Sequence, residues 1–146
     1  MNQADQDPAT RLQHLATRLI RIARTSHGAA GITSSQYSAM AVINDKKEIS
    51  VVNLARLERV SHPTMSRIVA GLVRKGLVIR SPNPADKRSR PLLLTSEGYQ
   101  LYFSITARRI ALFKALLARL SPAAIQEIIE AMDELALPSA HGVWLD

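Results

Sequence analysis

The chain has 146 residues, 47% of them hydrophobic and 21% charged, which suffices for one domain or two small fused ones around a core. Lys and Arg number 19 against 12 Asp and Glu, and the net charge of +7 favours a polyanionic partner. The absence of cysteine excludes disulfides and thiolate zinc sites. There is no apolar run long enough to cross a membrane, and residues 1–8 do not resemble a signal peptide. We therefore predict a soluble cytoplasmic protein with no membrane association.

The first third of the chain predicts two helices. Apolar residues in 9–27 recur on one helical face, and Gly28 and Gly31 end this helix. The face consists of Leu12, Leu15, Leu19 and Ile22. Residues 33–36 are predicted to form a capping box, in which the Thr33 hydroxyl accepts from the backbone amide of Gln36 and the Gln36 side chain accepts from the backbone amide of Thr33. A second helix therefore begins here and stops near residues 44–45.

Two shorter helices follow, separated by a tight break. Ser50 is a candidate N-cap for a helix over 51–58, and Ser61 caps the next helix with Pro63 in its first turn. Gly76 ends that helix after two basic residues. Its predicted buried face consists of Met65, Ile68, Val69, Leu72 and Val73.

A β-hairpin and two further helices complete the order of elements. Residues 77–80 and 91–95 predict strands joined by a long basic loop. Ser96 is the candidate cap of a long helix that runs to about Leu120, and Ser121 begins a last helix that Pro138 stops. The fold class is therefore mainly α with a small β-hairpin wing.

Two short helices around a tight turn, followed by a strand, a basic loop and a strand, indicate a winged helix-turn-helix. An α-helix fits the major groove of B-DNA, where base edges can be distinguished. The second helix carries arginines and small donors away from its apolar face, and these types reach bases and phosphates. The candidate DNA contacts in this helix are Ser61, His62, Thr64, Ser66, Arg67 and Arg74.

The loop of the hairpin supplies a second group of candidate DNA contacts. Lys87, Arg88 and Arg90 stand within four residues, and a narrow minor groove attracts inserted arginine. Asp86 would repel a phosphate, so we predict that it orients an arginine or braces the loop.

Residues 33–98 resemble the MarR family of regulators. The most discriminating piece is the Asp86-Lys87-Arg88 wing followed by Leu94-Thr95-Ser96-Glu97-Gly98. Further matching segments are Ile32 to Tyr37, Leu54-Ala55, Thr64 to Val69, Leu72 to Val78 and Asn83 to Ser89. The first of these segments adds Ser35 to the candidate DNA contacts. The flanking helices match only in placement.

The resemblance implies a homodimeric transcriptional regulator. Residues 1–32 and 96–146 would form a helical dimerisation region, and 33–95 the winged helix-turn-helix DNA-binding domain. It further implies binding to a pseudo-palindromic operator in double-stranded DNA, as a repressor that a small aromatic or phenolic effector releases. Arg88 would be the minor-groove arginine and Asp86 its brace. His62-Pro63 stands where the family varies, so the operator sequence does not follow.

Other interpretations stay open at this stage. The wing cations could be solvated loop residues, Arg67 and Arg74 could form surface ion pairs, and Ser61 could be a cap only. The alternative function is a winged-helix protein-interaction module without sequence-specific DNA binding. No residue constellation supports an enzyme, and we predict no cofactor.

The sequence says little about the role of the histidines or about the effector site. The four histidines lack the spacing of a helical metal site, so we predict no metal. Tyr37, Met40 and His14 could line an effector cavity or serve the core equally well, and the effector-binding residues are left unassigned.

Overall fold

The computed structural model describes residues 7–28, 30–81 and 90–135. These residues form six helices and one two-stranded antiparallel hairpin. The helices are α1 (Pro8–Gly28), α2 (Ser34–Lys46), α3 (Val51–Leu57), α4 (His62–Arg74), α5 (Ser96–Leu117) and α6 (Pro122–Glu134), and the strands are β1 (Val78–Arg80) and β2 (Leu92–Leu94). The predicted mainly helical class and the order of elements are confirmed.

Hydroxyl side chains fix where most helices begin. Both halves of the predicted capping box form, because Thr33 Oγ1 accepts from the Gln36 amide and Gln36 Oε1 accepts from the Thr33 amide, each at 3.1 Å. The other predicted caps, each accepting from the amide three residues on, are Ser50, Ser61 and Ser121. These starts are local features of sequence and were predictable for that reason.

The start and the end of α5 differ from the prediction. Thr95, not Ser96, is its N-cap, since the Thr95 hydroxyl accepts from the Gly98 amide at 3.0 Å. The helix ends at Leu117 rather than near Leu120. Both corrections are small shifts of a boundary, and neither changes the order of elements.

One continuous core holds α2, α3, α4, the hairpin and the first half of α5 together. Its largest fully buried side chains are Met40, Ile43, Leu54, Met65, Leu72, Leu92 and Ile105. Val73 was predicted to be buried and is 41% exposed. Leu72 occupies the inward direction, and the next residue of a helix is rotated by about 100° away from it.

The hairpin is built onto this core. Val78 lies opposite Leu94 and Arg80 opposite Leu92 in the antiparallel register. The Leu92 amide also donates to the Ile49 carbonyl at 2.8 Å, so the segment before α3 pairs with β2. We call residues 30–81 and 90–105 the lobe.

The remaining helical segments leave apolar side chains in solvent. We call residues 8–22, 106–117 and 122–134 the helical extension. Its exposed large apolar residues include Leu12, Leu15, Leu19, Ile20, Ile110, Phe113, Leu116, Ile128, Ile129 and Met132. Among the described residues, α6 contains none that is buried. Within the same part of the chain, no helix is both long enough and apolar enough to cross a bilayer.

Candidate nucleic-acid interface

The turn between α3 and α4 sets the angle of the helix-turn-helix. Arg59 adopts a left-handed conformation with φ of 53°, and the Val60 amide donates to the Ala55 carbonyl at 3.0 Å. This reversal lets α3 and α4 pack against each other. The predicted tight break between two short helices is therefore present in the structure.

The first turn of α4 gathers two of the candidate DNA contacts. Ser61 Oγ accepts from the Thr64 amide at 3.3 Å and lies 2.8 Å from Thr64 Oγ1. The cap role of Ser61 is thus realised, and its hydroxyl is also exposed together with that of Thr64. A phosphate at this end would meet the two hydroxyls and the positive end of the helix dipole.

The two faces of α4 differ sharply in burial and chemistry. Met65, Val69 and Leu72 are buried in the core. Ser66 is half-buried, and the candidate contacts that are exposed on α4 are His62, Thr64, Arg67 and Arg74. Arg67 and Arg74 are seven positions apart, so they project from one face about 10 Å apart along the axis. The helix therefore presents polar and cationic groups to solvent from a fixed base.

A close approach of two helices holds α4 against α2. A Cβ built on Gly71 would lie 2.8 Å from Gln36 Nε2, so the amide of Gln36 fits against bare backbone of α4. Gln36 is itself fixed by the capping box. Ser35, its exposed neighbour in α2 and another candidate DNA contact, lies in the same first turn.

The base of the hairpin is tied to the end of α4. Gly76 turns the chain with φ of 70°, and its carbonyl accepts from the Thr95 hydroxyl at 2.6 Å. Gly98 has no room for a side chain, because a Cβ there would lie 2.1 Å from the Leu77 carbonyl oxygen. The start of α5 therefore fixes both the C-terminal end of α4 and the hairpin.

Only part of the predicted wing can be located. Arg90 is exposed where the chain returns to β2, and the Ser81 amide donates to the Pro91 carbonyl at 2.8 Å across the base of the loop. Asp86, Lys87 and Arg88 lie outside the described residues. The roles predicted for these three remain predictions.

A basic cavity of about 450 Å³ lies between α1, α2 and α5. Its lining residues are Ile20, Arg24, His27, Ser34, Tyr37, Ser38, Ala41 and Arg109. Arg109 stands over the Tyr37 ring at 4.8 Å, and the Tyr37 hydroxyl is 2.9 Å from Thr106 Oγ1. None of the described lining residues is acidic. The cavity therefore favours an anionic guest.

His27 forms one wall of this cavity and is 4% exposed. Its ring lies 4.9 Å from the Tyr37 ring, and its Nδ1 is 3.4 Å from Ser34 Oγ. Nε2 is buried and has no hydrogen-bond partner. Burial lowers the pKa of His27, and the charges of Arg109 and Arg24 lower it further.

The sequence did not single out most of these cavity residues. Of the three open candidates, Tyr37 lines the cavity, Met40 is fully buried in the core, and His14 lies exposed on α1. Arg24 and His27 stand three residues apart on α1, but Arg109 comes from α5, so no local pattern links the three. Among the described residues, no group of three potential metal ligands converges.

Comparisons with known proteins agree with this geometry. The MarR family model matches residues 32–89. The chain is 37% identical over 79 residues to the transcriptional regulator HosA of Escherichia coli O111:H-, a match that covers 54% of this chain and 58% of HosA. The chain thus spans less than two thirds of that relative's length. It is 31% identical over 101 residues to an uncharacterized HTH-type transcriptional regulator of Mycobacterium bovis, Mb0904, covering 69% of this chain and 71% of that protein.

Solved structures show the same fold along nearly the whole chain. YusO from Bacillus subtilis superposes with a TM-score of 0.76 at 24% identity and covers 94% of this chain and 100% of its own. Wild-type MarR from E. coli in its apo form gives 0.74 at 26% identity, with 90% and 98% covered. The chain therefore belongs to the MarR family of transcriptional regulators, which are not enzymes, in agreement with the prediction from sequence.

Proposed function

We propose that this chain is a homodimeric repressor that binds a pseudo-palindromic operator in double-stranded DNA and that a small aromatic ligand releases. The observation that carries the proposal is the division of α4 into a buried apolar face and an exposed face with Arg67 and Arg74. A helix anchored in this way can enter a major groove without disturbing the core behind it.

The helical extension supports a dimer. Leu15 is 51% exposed and Ile128 is 45% exposed, and both belong to apolar rows along their helices. Apolar faces of this extent are typical of surfaces that another protein covers. We propose that residues 1–32 and 96–146 form the dimerisation region and 33–95 the DNA-binding domain, with the first turns of α5 packed into the core that the two share.

The dimer would present two copies of α4 on one side. Half-sites about 34 Å apart, one turn of DNA, would then receive one α4 each in successive major grooves. The wing, with Arg88 and Arg90, would enter the neighbouring minor groove on each side. Asp86 would orient Arg88, as the resemblance implies.

We place the effector in the cavity between α1, α2 and α5. Arg24 and Arg109 favour a carboxylate or a phenolate, and Ile20, Ala41 and Tyr37 supply an apolar wall for the rest of an aromatic ligand. Because α1 and α5 also belong to the helical extension, a ligand here can favour a different distance between the two lobes. That distance would no longer match the spacing of half-sites.

The experiment is fluorescence anisotropy with a labelled duplex from the DNA upstream of the gene. Arg67→Ala should weaken binding about fivefold or more, because loss of one base contact costs about 1–3 kcal/mol. Arg119→Ala removes another exposed arginine, beyond the end of α5, and should bind like the wild type. Unchanged binding by Arg67→Ala at matched salt would remove α4 from the interface.

A random duplex of equal length tests the alternative function. A regulator binds its operator far more tightly than random DNA, typically by 10³-fold or more. Equal binding to both duplexes would instead favour the protein-interaction module.

A further inference from the structure

We propose that Lys75 is a positioning residue that transmits occupancy of the basic cavity to the DNA-facing helix α4. This inference deepens the proposed function and rests on it. Lys75 is the C-cap of α4 and is not among the candidate DNA contacts. Its ammonium group reaches across to the connector between α1 and α2, where it donates to the Gly31 carbonyl.

The same ammonium group touches the capping box of α2. Lys75 Nζ lies 3.4 Å from Gln36 Oε1, the oxygen that also accepts from the Thr33 amide. The Gln36 side chain in turn packs against Gly71 of α4. Two contacts, from Lys75 and from Gly71, therefore join the last turn of α4 to the start of α2.

The other side of this connector faces the cavity. His27 precedes it and Ser34 follows it, and both line the cavity with Nδ1 and Oγ 3.4 Å apart. The Gly31 amide donates to the Gly28 carbonyl at 3.2 Å, and Gly31 itself has φ of 69°. Gly31 therefore lies within a few residues of both His27 and Ser34, and its carbonyl is the group that Lys75 binds.

These contacts define a route from ligand to helix. A guest that separates His27 from Ser34 displaces the Gly31 carbonyl, and Lys75 carries that displacement to the end of α4. The coupling is a difference in free energy between two arrangements of the connector, to which both the cavity and α4 contribute. Removal of the ammonium group should uncouple the two sites without removing either.

The first test measures coupling, with benzoate as the probe and the upstream duplex as the DNA. We expect benzoate to weaken wild-type binding roughly tenfold, within the usual range of allosteric coupling. In Lys75→Met, which keeps the aliphatic stem, the Kd without benzoate should change less than about threefold while the benzoate effect falls below about threefold. A full benzoate effect in this variant would overturn the proposal.

Two further variants separate the link from a general loss of charge. Lys75→Arg keeps a cationic donor of similar reach and should restore most of the benzoate effect. Lys46→Met removes an exposed lysine from the last turn of α2 and should keep all of it. Loss of coupling in Lys46→Met to the same degree would contradict a specific role for Lys75.

The second test is hydrogen exchange in the free protein, which needs neither DNA nor benzoate. Lys75→Met should speed exchange both in residues 31–36 and in the last turn of α4, because the link holds both segments. Faster exchange confined to α4 would make Lys75 a helix cap only and would overturn the proposal. Should the wild type fail to bind the duplex or to respond to benzoate, the proposed function fails, and the exchange data still decide whether the link exists.

Discussion

The lobe of this chain buries its apolar side chains, whereas the helical extension leaves many of its own exposed. In the lobe, Leu54 and Leu92 are fully buried by contacts within one chain. In the extension, Leu15 and Ile128 are about half exposed, although their spacing is equally regular. Equal periodicity therefore does not imply equal burial, and we propose that the extension buries its apolar faces against a second copy of the chain.

The largest expected effect comes from the core of the lobe. Leu54→Ala should lower the free energy of unfolding by about 3 kcal/mol, because it removes a fully buried side chain and leaves a cavity. Denaturant titration of the full chain at two protein concentrations measures it. The loss should be the same at both concentrations, and a strong dependence would break the comparison with the extension.

A smaller effect is expected from a substitution in α6, which should weaken self-association of the chain. Ile128→Asp places a charge on the apolar face and should weaken self-association about 100-fold, because an unpaired carboxylate is costly to bury. Sedimentation equilibrium gives the dissociation constant. Unchanged association would show that this face is not the interface.

The control for α6 lies on its opposite side. Gln126 Nε2 donates to Glu130 Oε1 at 2.7 Å on the polar face. Gln126→Lys adds a charge there and can still pair with Glu130, so association should match the wild type.

Local features of this fold were predictable and distant ones were not. The caps at Thr33, Ser50 and Ser61 depend on a hydroxyl and an amide three residues away, which a sequence displays directly. The cap of α5 was placed one residue late because Thr95 and Ser96 are both good caps. In the structure Thr95 accepts from the Gly98 amide and also donates to the carbonyl of Gly76 at the end of α4, and the second of these bonds joins residues far apart in the sequence.

The candidate site shows the same difference between local features, which were predictable, and distant ones, which were not. The exposed face of α4 follows from helical periodicity once the buried stripe is known, so the exposure of Arg67 and Arg74 could be predicted from sequence. The cavity needs Arg24 from α1 and Arg109 from α5, which meet only through packing of the two helices. His27 was grouped with three other isolated histidines, and nothing in the sequence distinguishes it.

The smallest effect concerns His27, which lies where the extension meets the lobe. Its pKa is lowered in the folded chain by burial and by Arg109 and Arg24, so the unfolded chain binds a proton more readily. Stability from this group is fully present above the unfolded pKa of about 6.5 and is lost as pH falls from there toward the folded value. His27→Gln should therefore flatten the decline in stability below about pH 6.5, as measured by denaturant titration at a series of pH values.

His14→Gln, at an exposed position on α1, should leave that decline as it is in the wild type. If both variants follow the wild-type curve, the ring of His27 is free to take up a proton in the folded chain, and the junction between extension and lobe is looser than the buried Nε2 indicates.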